Sequence, residues 1–285
     1  MKGLLAHIAK ELNTDITALT PLSGGDISRA YKLHTSDQAY FLKVNSGSSA
    51  LQMFEAEKKG LECIAASKTI AVPRVFELGI CEGQGFLLME FIKSKTGSAE
   101  DFQALASQLA GMHQVPFQKF GFQEDNFIGS LAQSNTLHEK WSDFYLYQRL
   151  NPQIEMALTQ GLLTKKELPS LDRMHRVLQF YFNKVRPSLL HGDLWSGNFL
   201  FGLDGTPYLI DPAVYYGHSE VDIAMTHLFG GFHSSFYETY HKIVPQSNET
   251  EARIALYQLY YLLVHLNLFG SSYYGGVSRI LKHYF

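Results

Sequence analysis

Thiols are almost missing from this chain: Cys63 and Cys81 are the only two cysteines in 285 residues. So few exclude a disulfide framework and point to a reducing compartment, with both read as core residues. Positive charge is thin as well. There are 24 Lys and Arg against 27 Asp and Glu, a net charge of −3, and no basic block. Binding to nucleic acid or to an anionic membrane therefore lacks electrostatic support. No apolar run is long enough for a membrane span. The most apolar late segment, Leu256 to Phe269, is too short and carries Gln258, His265 and Asn267. The opening MKGLLAHIAKEL is interrupted by His7, Lys10 and Glu11, so it lacks the core of a signal peptide. A cytoplasmic protein is expected. The twelve histidines show no metal-ligand spacing, so no zinc site is expected either, and repeats and low-complexity linkers are missing. What remains is an ordinary folded composition, 46% hydrophobic and 18% charged, long enough for one bilobal unit or two domains.

The densest chemistry lies in Leu189-Leu190-His191-Gly192-Asp193-Leu194-Trp195-Ser196-Gly197-Asn198-Phe199-Leu200. Its polar residues sit between two apolar runs, as in a catalytic loop between buried elements. The spacing His-x-Asp-x-x-x-x-Asn matches kinase catalytic loops, where Asp accepts the substrate hydroxyl proton and Asn holds a metal. Thirteen residues after Asn198, the apolar run Tyr208-Leu209-Ile210 ends in Asp211, a second carboxylate able to hold Mg²⁺ against nucleotide phosphates.

The upstream parts fit the same scheme. Small polar residues around Gly24 and Gly25, within Pro21 to Tyr31, make a turn whose N–H groups can approach a phosphate; an ordinary hairpin is the competing reading. Ala39 to Asn45 reads as a strand bearing Lys43, the kinase position for a phosphate-contacting lysine. Residues 50–66 read as a helix with Leu51, Phe54, Leu61 and Ile64 on one face. Glu57 borders that face and is the expected partner of Lys43, whereas Glu55 points away, toward Lys59. Strands over 74–79 and 85–92 follow, joined by the turn Cys81 to Gln84. In a kinase the backbone of Met89, Glu90, Phe91 and Ile92 would be the hinge that bonds adenine.

Beyond the hinge the pattern turns helical. A capping box at Ser98 to Asp101 opens a helix through Phe102, Leu105, Leu109 and Met112 to His113. A long ordered loop is expected over 115–135, helices over 137–150 and 168–185, and an N-cap at Ser219 opening a helix to Phe229. Asp222 is expected to support the metal-binding loop, and a buried final helix to run from Glu251 to Phe269. The chain divides near 93–98 into a nucleotide-binding lobe, 1–93, and a catalytic and substrate-binding lobe, 94–285.

This order of parts is that of the α+β, bilobal protein-kinase-like fold. The finer wording resembles the fructosamine kinase (ketosamine kinase) family over nearly the whole chain. The resemblance rests on residues 191–198, Ile-Asp-Pro-Ala at 210–213, Tyr-Gly-His-Ser-Glu at 216–220 and Phe-Gly-Gly-Phe at 229–232. Phe-Leu-Lys-Val-Asn at 41–45, Met-Phe-Glu-Ala-Glu at 53–57 and Asp-Asn-Phe-Ile-Gly at 125–129 look like that family too. It implies ATP- and Mg²⁺-dependent phosphorylation of ketosamines, small or on glycated proteins, at the third sugar carbon, an activity associated with deglycation. In that scheme Asp193 is the base, Asn198 and Asp211 hold Mg²⁺, and Lys43, fixed by Glu57, clamps the phosphates. Trp195 is a candidate surface for the sugar, with buried packing as its competitor. His191, also placed at the substrate site, is read as orienting the loop rather than titrating. Many members carry a cysteine in the glycine-rich turn; here the position is Asp26, so no thiol switch is expected. Two other readings compete: a related kinase of aminoglycosides, choline or homoserine, and a non-catalytic nucleotide-binding module. The intact Lys43, Asp193, Asn198 and Asp211 weigh against the second.

Overall fold

Alternation of apolar and polar residues builds the first sheet. In β3 (Ala39–Asn45), Tyr40, Leu42 and Val44 are buried, which turns Lys43 to the opposite face. The structure is a computed structural model describing residues 1–22 and 28–285. The expected turn at Gly24 and Gly25, with Asp26, lies outside the described residues. β1 (Ile16–Leu22), β2 (Arg29–Thr35), β3, β4 (Val75–Cys81) and β5 (Gln84–Glu90) form one antiparallel sheet in the order β1-β2-β3-β5-β4. Residues 86–89 of β5 are buried on both faces of the strand, because each face has its own helix. On one side α1 (Lys2–Leu12) sets Leu4 and Ile8 against Leu42, Val44 and Leu88. On the other, α2 (Ala50–Ser67) sets Phe54 and Leu61 against Leu87 and Met89.

The turn between β4 and β5 is tighter than expected. Cys81 and Gln84 still pair, leaving Glu82 and Gly83 at φ 50° and 75°, the left-handed geometry that suits the twist of a two-residue hairpin. β5 stops at Glu90, two residues short of the expected Ile92.

The remainder is mostly helical, giving the α+β, bilobal arrangement expected. A short β6 (Ser94–Lys95) leads to α3 (Ala99–His113), which opens with the expected reciprocal box between Ser98 and Asp101. The stretch 115–135 is not a plain loop, since it holds the hairpin β7 (Asn126–Ile128) and β8 (Leu131–Gln133). The next helix begins late and ends late. It runs as α4 (Trp141–Phe144), a π turn over Tyr145–Leu150, and α5 (Asn151–Thr159). Pro152 does not stop it, because it lies in the first turn of α5, where a missing N–H costs little. α6 (Leu171–Tyr181) is shorter than expected and starts from a Ser170 cap.

Short strands then frame the loops that matter. β9 (Ser188–Leu190), β10 (Phe199–Gly202), β11 (Pro207–Leu209) and β12 (Tyr215–Gly217) pair as β9 with β12 and as β11-β10-β6. Four helices close the chain: α7 (Glu220–Phe229), α8 (Ser234–Ile243), α9 (Thr250–Phe269) and α10 (Tyr274–Tyr284). α9 is the buried axis of the main core, with Leu256, Leu259, Leu263 and Leu266 all fully covered. α10 was not expected. Its Gly275 and Gly276 disfavour a helix, and Val277, Ile280 and Leu281 supply the burial that overrides them. Ser219 makes no side-chain cap to α7, contrary to expectation, and lies at helical φ and ψ of −51° and −32°.

Behind α7 a polar group is sealed into this core. Trp141 Nε1 donates to the Tyr257 hydroxyl at 2.9 Å, and that hydroxyl is hydrogen-bonded to His218 Nδ1, also at 2.9 Å. Burial holds the imidazole down to about 4, with Glu220 pulling upward and Arg253 pushing the same way as burial. Folding therefore favours the neutral ring. Its contribution is intact above the unfolded value of about 6.5 and is lost as pH falls toward 4, up to about 3 kcal/mol. Denaturant melts between pH 7 and 4.5 should show that loss, and His218→Gln should flatten it. An unchanged slope in the variant would assign the pH dependence to other groups.

Candidate active site

The loop between β9 and β10 is held by a carboxylate that lies beneath it. Asp222, fully buried on α7, accepts the His191 N–H at 2.8 Å and the Gly192 N–H at 2.9 Å. His113 of α3 pairs through Nε2 with the same carboxylate at 3.0 Å, while its Nδ1 meets the Tyr240 hydroxyl at 2.7 Å. From α9, Tyr261 donates to the Gly192 carbonyl at 2.8 Å. Gly192 has φ 83°, and a Cβ there would run into the Ala213 carbonyl, so only glycine lets the two loops touch. Asp222 thus supports the catalytic loop rather than the metal-binding loop expected for it.

His191 is a strut. Its Nδ1 receives the Asp193 N–H at 3.2 Å and its Nε2 donates to the Ile210 carbonyl at 2.8 Å, which defines a neutral tautomer. Burial lowers its pKa, favouring that neutral form. The side chain is fully buried with both nitrogens engaged, so it has no surface for a substrate, correcting its placement there. Its Ile210 bond ties the catalytic loop to the residue just before Asp211. Asn198 donates through Nδ2 to the Asp193 carbonyl at 2.8 Å and to its Oδ2 at 3.1 Å. Burial pushes the Asp193 carboxyl up to about 7; the bond from Asn198 lowers it and the Asp222 charge raises it further.

Asp211 has φ 53°, a left-handed conformation that aspartate tolerates better than most residues, and it leaves the side chain 40% exposed. Lys43 Nζ donates both to Asp211 Oδ1 and, at 2.8 Å, to Glu57 Oε1. Lys43 and Glu57 are only 11% and 13% exposed, so little water screens the pair. Glu55 is exposed, and Lys59 does not turn to it but bonds Glu124 in the segment before β7. α2 also approaches the Asp211 loop closely at Gly60, where a Cβ would lie 2.9 Å from Pro212 Cγ. On the far side of that loop, Asn126 donates to the Val214 carbonyl at 2.8 Å.

At the end of β5, where a hinge was expected, the Glu90 N–H donates to the Arg74 carbonyl at 2.8 Å and the chain leaves the sheet at Phe91, whose ring lies 4.5 Å from Lys32 Nζ. Met89 packs its side chain under α2, and Phe91 and Ile92 are half-buried. Trp195 is 40% exposed, with its ring over Gly197, so it is not a buried packing residue. The structure therefore gathers Asp193, Asn198, Asp211, Lys43 and Glu57 around one cleft. It adds His113, Asp222, Tyr240 and Tyr261, of which only Asp222 carried a sequence signal, as an acid in the first turn of a helix.

A β-rich lobe whose strand lysine is held by a helix glutamate, joined to a helical lobe with a His-x-Asp-x-x-x-x-Asn loop and a trailing aspartate, defines the protein-kinase-like class of phosphotransferases. Within that class the fructosamine kinase family model matches residues 2–285, and the chain belongs to that family. An Enterococcus faecium protein assigned as a ketoamine kinase is 41% identical over 266 residues, covering 93% of this chain and 94% of its own. The chloroplastic protein-ribulosamine 3-kinase of Arabidopsis thaliana is 37% identical over 277 residues, 95% of this chain and 83% of its own. Among solved structures, a Haemophilus somnus protein assigned as a fructosamine-3-kinase superposes with a TM-score of 0.88 at 28% identity, over 99% of this chain and 96% of that one. The aminoglycoside phosphotransferase APH(4)-Ia shares the fold, with a TM-score of 0.65 at 18% identity, over 98% of each chain.

Glu57→Ala removes one of the two carboxylates that fix Lys43. It should lower kcat/KM for ATP roughly ten- to a hundredfold, the scale of a lost charge-assisted bond. Glu55→Ala should stay within about twofold of the parent, since an exposed carboxylate contributes little. Initial-rate measurements over an ATP series distinguish the two. Equal losses would mean that Glu57 has no special part.

Proposed function

We propose that this chain transfers the γ-phosphoryl group of ATP to the hydroxyl on the third sugar carbon of a ketosamine, acting in the cytoplasm on small ketosamines and on glycated proteins. The observation that carries this reading is the Asp193–Asn198 bond beside Lys43 and Asp211. It fixes, next to groups suited to phosphate, a carboxyl that burial brings to a pKa of about 7, suited to accept a hydroxyl proton. The names of the relatives support the ketosamine and the 3-position.

The residues divide the work by chemistry. Residues 1–93 hold the nucleotide, with adenine on the backbone of Phe91 and Ile92, since sheet pairing takes Met89 and the Arg74 carbonyl takes the Glu90 N–H, and residues 94–285 hold the sugar. Asp193 accepts the hydroxyl proton as the sugar oxygen bonds the γ-phosphorus and the bond to the β-phosphate oxygen breaks, giving ADP. Lys43, oriented by Glu57, neutralises phosphate charge. Trp195 offers an exposed ring face to the C–H face of the sugar.

Mg²⁺ fits the donors present. Asn198 turns its nitrogen to Asp193 and so its amide oxygen away from it, and Asp211 is an exposed carboxylate. Both are hard oxygen ligands. Among the described residues no three His, Cys, Asp or Glu side chains converge as a closed metal cage, and Mg²⁺ usually binds through one or two carboxylates plus phosphates and water. When bound, the ion would be held by Asn198 and Asp211 and would supply neutralisation of the phosphate charge.

An ATP-consumption screen tests the assignment. Fructosyl and ribulosyl ketosamines should be turned over, with aminoglycosides and choline as controls that are not. Asp193→Asn should cut kcat by about 10² to 10⁴ while Mg·ATP still binds, the range for a lost general base. Asp211→Asn should instead remove most of the Mg²⁺ dependence of nucleotide binding. Turnover of kanamycin-like compounds with no turnover of any ketosamine would reject the proposal.

A further inference from the structure

Beside the loop that carries Asp193 lies an aromatic cluster that the catalytic scheme does not use. Phe229 closes α7 at 39% exposed and Phe269 closes α9 at 51% exposed, both unusual for large apolar rings. They are not scattered singly. The His265 ring lies 4.6 Å from Phe229, 5.5 Å from Phe269 and 5.1 Å from Tyr273, centroid to centroid.

Two covalently short connections fasten this wall to the catalytic loop. His265 stands one turn of α9 beyond Tyr261, whose hydroxyl holds the Gly192 carbonyl at 2.8 Å. Phe229 is followed by Gly230 and Gly231, at φ 73° and 86°, and Gly231 packs so closely that a Cβ there would lie 2.5 Å from Ser196 Cβ. Ser196 is the neighbour of Trp195. The wall therefore flanks the loop that carries Asp193, on the side of Ser196. Trp195 makes no ring contact with it among the described residues, so the two aromatic surfaces are separate.

The chemistry of the wall is selective. His265 Nδ1 lies 2.8 Å from the Tyr261 carbonyl and so carries the proton, which leaves Nε2 as an acceptor with no partner among the described residues. Burial lowers its pKa, only partly countered by the bond to Tyr261, so at neutral pH the ring is uncharged. A neutral acceptor among ring faces suits an ammonium N–H joined to an aliphatic stem, and ring faces attract such cations. None of the four rings offers a cation to a carboxylate.

Resting on the function proposed above, we propose that Phe229, His265, Phe269 and Tyr273 form the subsite for the amine half of the ketosamine. They take its secondary ammonium on His265 Nε2 and its alkyl stem on the rings. This subsite favours adducts of alkylamines and lysine side chains over adducts of α-amino groups, whose carboxylate lies one carbon from the amine.

The test compares N-butyl-fructosamine with fructosyl-glycine on the full-length protein. The parent should prefer the butyl adduct by KM. Phe229→Ala and His265→Ala should each raise KM for the butyl adduct roughly five- to tenfold. Their KM for ATP should stay within about twofold, and the preference over fructosyl-glycine should shrink. His265→Gln, which keeps an acceptor near the Nε2 position, should recover part of the loss. Thermal melts confirm that the variants are folded; Phe269→Ala, at a more exposed ring, provides a second variant if Phe229→Ala melts early. Parent turnover of both adducts with no KM change in the variants would overturn the subsite while leaving the kinase reading intact. So would equal rises in KM for ATP and ketosamine. A parent that turns over neither adduct would overturn both.

Discussion

The catalytic loop depends on a negative charge that never meets substrate. Asp222 is buried among apolar helices, where an uncompensated carboxylate would be very costly, and two backbone N–H groups and His113 compensate it. That requirement works in both directions. The carboxylate needs its donors, and the donors belong to the two residues immediately before Asp193. Three elements distant in sequence, α3, α7 and α9, converge on this point, so the position of Asp193 is a property of the whole helical lobe.

Across the cleft a second set of charges does the corresponding job. Lys43 reaches from β3 to Glu57 on α2 and to Asp211 on the opposite side, which makes one ammonium the bridge between the lobes. α2 is held to the same side by the Lys59–Glu124 pair and by the close approach at Gly60. His191 links the two loops through Ile210, so the segments carrying Asp193 and Asp211 are fastened to each other. Phosphoryl transfer needs mostly positioning and charge. This cleft provides both with few residues.

The abundance of aromatic residues has a structural meaning here. Arg149 is fully buried and pairs with no carboxylate among the described residues. It stacks 4.0 Å from the centroid of Tyr215 and donates to the Ser134 carbonyl and to Asn135 Oδ1, both at 2.6 Å. Ring faces and carbonyls hold its two terminal nitrogens while Nε stays buried with no hydrogen-bond partner among the described residues, and in return it pins the segment after β8 beneath β12. Tyr257, Tyr260 and Tyr261 of α9 likewise bury their rings while spending their hydroxyls on polar partners.

The sequence by itself determined the parts whose chemistry demands fixed residue types at fixed spacing. The strand carrying Lys43, the helix phase that selects Glu57 over Glu55, the capping box at Ser98 and the run from His191 to Asn198 with its trailing Asp211 were all legible. Each depends on neighbours within one turn, strand or loop. Tertiary structure alone decided the rest. α10 and the β7–β8 hairpin form because burial outweighs weak local preference. Pro152 breaks nothing because of where the helix turns around it. His113, Tyr261 and His265 read from sequence as ordinary helix residues. Their roles come from contacts across tens of residues, and no local pattern records which distant backbone a buried side chain will meet.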